Sequence, residues 1–160
     1  MITWITDHIA IGDYDDAKDE DRLAEQDISF VLNVVWGQNI EYREMPCANI
    51  PFESSIPQRS KEFIEKHRFT PMPTEGVNPI DLAPWKGELY CDIIDSCVIR
   101  AKKILVRCGA GIDRSPTVVY LYLSRMRESK QAYELIKNKR PQSNIHLEWL
   151  RTINQQERSS

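Results

Sequence analysis

The sequence predicts an α/β domain, a central sheet of four or five strands with helices on both faces. Three stretches carry that expectation. Lys103-Ile104-Leu105-Val106-Arg107 is a short β-rich run that leads through small residues at 109 to 111 into an apolar helix. Ile28 to Val35 (Ile-Ser-Phe-Val-Leu-Asn-Val-Val) is a second buried strand, closed by the turn residues Trp36-Gly37-Gln38-Asn39. Trp85 to Ala101 lies between them, with apolar residues at three- and four-residue steps. The 160 residues, 41% of them hydrophobic, are expected to form one domain, 1–160, with 154–160 as a frayed tail.

Taken in order, Ile2 to Ile5 and Ile9 to Gly12 are two short strands around the turn at Asp7-His8. Asp13 to Asp27 is acidic and reads as a solvated helix with Ala17, Leu23 and Ala24 inward, not as a metal site. The strand Ile28 to Val35 is expected at the sheet centre. Asn49 to Phe52 is expected as an edge strand, because Pro51 has no N–H to give a ladder. Gln58 to His67 follows as a surface helix with Phe63 and Ile64 inward. Arg68 to Pro84 holds four prolines and a glycine, which predicts a long loop of the kind that often carries function. In the helix Trp85 to Ala101, the residues expected inward are Leu89, Ile93, Ile94, Cys97, Val98 and Ala101, with Cys97 in the core. Thr117 to Arg127 is apolar almost all round, as in a helix buried under a sheet. Ser129 to Lys139 forms another helix with Ala132, Leu135 and Ile136 inward, stopped by Arg140-Pro141. Arg140 reads as a surface or helix-end charge. Ser143-Asn144 reads as the cap of a last helix bearing Leu147, Leu150 and Ile153.

The chemistry concentrates at Cys108-Gly-Ala-Gly-Ile-Asp-Arg114-Ser115-Pro116. A strand that turns through glycines into a helix aims the N–H groups of the loop and first helical turn at one point, which makes an anion site. The amides of Gly109, Ala110, Gly111, Ile112, Asp113 and Arg114 are the candidate phosphate donors, and Gly109 and Gly111 supply the backbone freedom. Arg114 adds a planar fork that takes two phosphate oxygens at once. Helix dipole, amides and guanidinium all favour the thiolate of Cys108, a nucleophile that needs no neighbouring base. Ser115 has two open roles: it hydrogen-bonds the sulfur as that sulfur becomes a leaving group, or it caps the helix ahead of Pro116. The site is expected at a strand's carboxyl end, where open α/β sheets place ligands.

This segment resembles the signature loop of the cysteine-based protein tyrosine phosphatases, in the dual-specificity branch. The resemblance implies a phosphomonoester hydrolase without metal or other cofactor. In it Cys108 attacks phosphorus, Arg114 and the loop amides hold the transferring group, and Ser115 assists release. It also implies an acid for the leaving group on a loop upstream of the nucleophile. Glu75 is the nearest match there, Asp81 the second, and no carboxylate at all is a third possibility; as ordinary residues, Glu75 would sit in a turn and Asp81 would cap the next helix. Arg107 stands where that family usually has histidine.

The expected substrates are phosphorylated proteins, on tyrosine and on serine or threonine, or small phosphomonoesters. Between Cys108 and Arg114 there is no lysine or arginine and Asp113 is acidic, which suits a single phosphate better than a highly charged one. A module that only binds phospho-residues, or a phosphatase of non-protein phosphomonoesters, is the alternative. The net charge of −3 gives no basic field, so neither nucleic acid nor membrane is expected as a partner. No stretch is apolar enough to span a bilayer and no apolar N-terminal signal is visible, which makes the cytoplasm the expected location. Cys47, Cys91, Cys97 and Cys108 lack the spacing of zinc ligands and are expected to be reduced thiols. Cys47 is the candidate to trap an oxidised Cys108 as a disulfide.

Overall fold

A computed structural model describes residues 1–52 and 82–154. The expected helix Gln58 to His67, nearly all of the loop Arg68 to Pro84, both acid candidates, Glu75 and Asp81, and the tail from Gln155 lie outside the described residues.

Five strands form one mixed sheet: β1 (Thr3–Trp4), β2 (Ile9–Gly12), β3 (Ile28–Asn33), β4 (Cys47–Asn49) and β5 (Lys103–Arg107), in the order β1-β2-β5-β3-β4. β1 runs antiparallel to β2 and the other neighbours are parallel. β5, and not β3 as expected, occupies the centre. Ile104, Leu105 and Val106 are all fully buried, as a strand covered on both faces requires. β3 is nearly as apolar, so hydrophobicity did not separate the two; the crossover connections decide the order.

β4 starts earlier than expected, at Cys47, but the pairing with β3 runs on. Ile50 N–H donates to Asn33 O (2.9 Å) and Phe52 N–H to Val34 O (2.9 Å), so Pro51 falls between two donors, where its missing N–H costs no bond to β3.

Alternation along the strands sorts the core into two layers. Ile9, Ile11, Leu32, Ile104 and Val106 face the larger layer, packed by three helices: α3 (Pro84–Ile99), α4 (Arg114–Met126) and α5 (Ser129–Lys139). Ala10, Ile28, Val31 and Leu105 face the smaller one, under α1 (Tyr14–Lys18) and α2 (Glu20–Glu25). A register shift between Ile28 and Phe30 lets Ile28 and Val31, three apart, share that face.

Three helical expectations need correction. The helix expected over 13–27 is two short helices. Asp13 and Asp16 form a capping box on α1, and Asp19 ends that helix while its carboxylate accepts Arg22 N–H at the start of α2 (3.1 Å), so Ala24 faces solvent. On α3, which starts at Pro84 with Ala83 as N-cap, the buried face is Lys86, Gly87, Tyr90, Cys91 and Ile94. Leu89 is 37% exposed and Cys97 only half-buried. The cause is Gly87, where a Cβ would meet Ile153 Cδ1 at 2.7 Å and Leu121 Cδ2 at 3.3 Å. The helix rotates to set its bare backbone against α4, a contact that an apolar pattern does not register. Finally, Ser143 and Asn144 do not cap the last helix: it opens as a 3₁₀ turn, Leu147–Leu150, with His146 as N-cap, and continues as α-helix over 151–154; Leu150 and Ile153 are buried and Leu147 is exposed.

Candidate active site

The stretch from Cys108 to Asp113 leaves the carboxyl end of the central strand and enters α4 at Arg114. Its backbone carbonyls are taken up from outside the loop. Tyr14 N–H donates to Gly109 O (3.0 Å) and Asn144 N–H to Ile112 O (2.7 Å). Arg140 Nε donates to Gly111 O (2.8 Å). Thr117 donates its N–H (3.3 Å) and its hydroxyl (2.7 Å) to Asp113 O. With these carbonyls held outward, the loop's amides are free to face its interior. Gly111 N–H donates to Cys108 Sγ (3.2 Å).

Cys108 is 2% exposed and borders the larger apolar layer, yet its sulfur is not merely packed. Ser115 Oγ lies 3.2 Å from Sγ on the side of the helix, opposite in sequence to the Gly111 amide. Ser115 is fully buried and Arg114 is 6% exposed in the same helical turn. The helix starts three residues earlier than expected, with Asp113 as N-cap and Pro116 in the third helical position. Ser115 therefore lies inside the helix rather than at its cap position, and its hydroxyl faces the sulfur.

The two loop glycines are not equivalent. Gly111 has a φ of 69°, in the left-handed region, and Gly109 does not. A Cβ on Gly111 would lie 2.6 Å from Arg140 Nη2 and 2.8 Å from Gly12 O, so the left-handed turn and the close approach to β2 both exclude a side chain.

Arg140 corrects the reading of a helix-end charge. It is 3% exposed, and besides Gly111 O it donates through Nη1 to Met1 O (2.8 Å) and Thr3 Oγ1 (2.7 Å). It ties the Cys108–Asp113 loop to the edge strand of the sheet. Burial pushes its guanidinium below the usual range, opposed by Asp16 and Asp13. Nothing in its neighbourhood in sequence signals the contact, since its partners lie 29 to 139 residues away.

Arg107 points to the other face of the sheet from Cys108. It is 1% exposed, donates from Nη2 to Gln38 O (2.5 Å) and lies over the Tyr14 ring at 5.6 Å. Its Nε and Nη1 have no partner among the described residues, and burial again lowers its pKa. Asn33 orders the adjoining turn, donating to Asn39 Oδ1 (3.3 Å) and Asn49 Oδ1 (3.0 Å) and accepting from Val35 N–H (3.1 Å). Inside the strand Ile28 to Val35 it read as one more buried position; a lone Asn amid apolar residues was the available signal.

Cys47 is not placed to trap Cys108. Val31 pairs with Cys47 on one side and Leu105 on the other. With strands about 4.8 Å apart and a rise of about 3.3 Å per residue, Cys47 and Cys108 are about 14 Å apart, against the ~6 Å between Cα atoms that a disulfide needs. Among the described residues no group of three or more His, Cys, Asp or Glu is arranged to hold a metal, and no helix is long and apolar enough to cross a membrane.

A buried thiol that accepts a loop amide at the carboxyl end of a central parallel strand, with an arginine and a serine in the first turn of the following helix, gives this α/β domain the layout of a cysteine-dependent anion site. Residues 87–159 match the family described as dual specificity phosphatase, catalytic domain. The tyrosine-protein phosphatase vhp-1 of Caenorhabditis elegans is 31% identical over 142 residues, 88% of this chain and 19% of that protein. Human dual specificity protein phosphatase 8 is 26% identical over 160 residues, 99% of this chain and 22% of that protein. The chain thus spans about a fifth of the length of these relatives. A mouse putative dual specificity phosphatase complexed with zinc tungstate has the same fold, with a TM-score of 0.72 and 19% identity, covering 99% of this chain and 87% of that one. The chain belongs to the cysteine-based protein tyrosine phosphatase superfamily, in the dual-specificity branch.

Proposed function

We propose that the protein hydrolyses phosphomonoesters on proteins, phosphotyrosine and also phosphoserine or phosphothreonine, through a cysteinyl-phosphate. One observation carries the proposal: Cys108 Sγ sits under a loop whose carbonyls are engaged from outside, within 3.2 Å of both the Gly111 amide and the Ser115 hydroxyl. The family membership supports phosphatase chemistry and a phosphorylated substrate.

The thiolate attacks phosphorus, forming the S–P bond as the P–O bond to the leaving group breaks. The leaving oxygen takes a proton from an acid or from water. Loop amides and the Arg114 fork hold the three equatorial oxygens, whose charge they stabilise most in the transition state. Water then attacks phosphorus, phosphate departs, and the electrons of the S–P bond return to sulfur. Ser115 stabilises that returning thiolate by donating its hydroxyl, so its contribution falls on the second step. By sequence the acid is Glu75 first and Asp81 second, with no carboxylate acid as the third alternative.

Turnover of an aryl phosphate tests the scheme. Cys108→Ser is expected to abolish it, and undiminished turnover in that variant refutes the mechanism. Ser115→Ala is expected to leave a rapid burst of aryl alcohol followed by a steady state slower by on the order of 10²-fold. A parent protein that binds inorganic tungstate but turns over no aryl phosphate would make the chain a phospho-residue-binding module.

A further inference from the structure

The loop that is to hold an anion carries a carboxylate of its own. Asp113 is the N-cap of α4, with φ −110° and ψ −66°, yet its side chain makes no capping hydrogen bond. An N-cap aspartate ordinarily turns its carboxylate inward to accept an N–H from the second or third helical residue. Here the third is Pro116, which has no N–H, and the second is Ser115, in the first helical turn, where the helix dipole favours negative charge. A capping Asp113 carboxylate would therefore set its charge at the helix N-terminus, against the positive end of the dipole that a phosphate is to use.

The carboxylate is instead drawn away. Asp113 Oδ1 lies 2.8 Å from His146 Nε2 and 3.5 Å from Asn144 Nδ2. His146 is itself fixed on three sides. Its Nδ1 lies 3.1 Å from Glu148 Oε1, and its ring stacks on Trp149 with centroids 3.8 Å apart and planes 11° from parallel. Its N–H donates to Thr117 Oγ1 (3.1 Å), whose hydroxyl donates to Asp113 O (2.7 Å).

We propose that His146 is a positioning residue that holds the Asp113 carboxylate off the anion cup, so that the loop admits a phosphoryl group. Without it, Asp113 becomes an intramolecular competitor for the same helix N-terminus. The role lies in binding more than in chemistry, because a bound phosphate has already displaced the competitor. The inference rests on the cup being a phosphate site.

Tungstate titration by calorimetry tests it directly, with aryl phosphate kinetics beside it. In His146→Phe the stacking partner of Trp149 is kept and the hydrogen bond to Asp113 is lost. This variant is expected to bind tungstate about tenfold more weakly, in line with the strength of an N-cap bond, and to raise KM by a similar factor with kcat within about twofold. Adding Asp113→Asn to His146→Phe is expected to restore binding to within about twofold of the parent, a rescue that a merely structural histidine would not show. His146→Gln, which keeps a donor, is expected to bind tungstate as the parent does and serves if His146→Phe does not fold. Parent-like binding by folded His146→Phe, failure of the double variant to recover, or weak binding by folded His146→Gln each overturns the proposal. A parent protein that binds no tungstate overturns the phosphate-site reading and this inference with it; one that binds tungstate without turnover overturns only the catalytic reading.

Discussion

Replacing Gly111 by alanine separates the two glycines of the loop more sharply than any other substitution. An alanine held at φ 69° costs about 1–2 kcal/mol in backbone strain. Its Cβ would also lie 2.8 Å from Gly12 O and 3.0 Å from Gly12 C, main-chain atoms of β2 that cannot swing aside, and 2.6 Å from Arg140 Nη2. Relieving that overlap costs about another 1–3 kcal/mol. The expected loss is therefore about 2–5 kcal/mol, or roughly 10 °C in Tm for a domain of this size. The loop must shift to relieve the contact, and with it the Gly111 amide that donates to Sγ at 3.2 Å, so kcat/KM for an aryl phosphate is expected to fall by at least about 10²-fold. Gly109→Ala is the control. Its φ is not positive and its Cβ would meet the far end of the Gln38 side chain at 3.0 Å, which can give way, so stability is expected to fall by less than about 1 kcal/mol. Urea unfolding and steady-state kinetics on both variants decide the matter. Equal losses at 109 and 111, or a Gly111→Ala protein within twofold of the parent in kcat/KM, would refute the placement of the left-handed turn.

Arg140→Met removes the donor to the carbonyls of Gly111 and Met1 from a buried site, and urea unfolding is expected to show a loss of about 3–4 kcal/mol. Arg107→Met behaves differently: a buried guanidinium with Nε and Nη1 unpartnered among the described residues is replaced by an apolar chain, and stability is expected to stay within about 1 kcal/mol of the parent or to rise. Tyr42 donates to Ala17 O (2.7 Å), and burial pushes its phenol up to about 12. Since the folded value lies above the unfolded one near 10, its stabilisation is complete below pH 10 and disappears as pH rises through 12. Alkaline unfolding followed by circular dichroism is expected to show that Tyr42→Phe reduces this loss by about 1 kcal/mol once solvent screening is allowed for.

The placement of Arg140 also changes how the loop's order is understood. The thiol-bearing loop has its Gly109 carbonyl bound to the start of α1, its Gly111 carbonyl to the end of α5, and its Ile112 carbonyl to Asn144, ahead of the 3₁₀ turn Leu147–Leu150. Three separate parts of the chain thus converge on one short segment, and a change in any of them reaches the loop through a single hydrogen bond.

Local chemistry was legible in the amino-acid order. The strand, turn and helix around Cys108 form because β-rich residues, glycines and an apolar helix follow one another directly, and α5 has the bounds that its periodicity and Pro141 predict, because each depends on neighbours within a few residues. What the order of residues left open was every choice between distant partners. β3 and β5 look alike as apolar runs, and only the crossovers put β5 in the middle. Gly87 adds nothing to the apolar pattern of α3, and its role shows only when α4 is laid against it. Arg140 and His146 are ordinary polar residues until folding brings them to Gly111 and Asp113, 29 and 33 residues away in sequence. The sequence by itself determined the Cys108 loop and the elements that carry it, since these follow from short-range backbone preferences. The tertiary structure alone decided which carbonyls are held outward and which side chains hold them, because hydrogen bonds between far-separated residues leave no periodic trace along the chain.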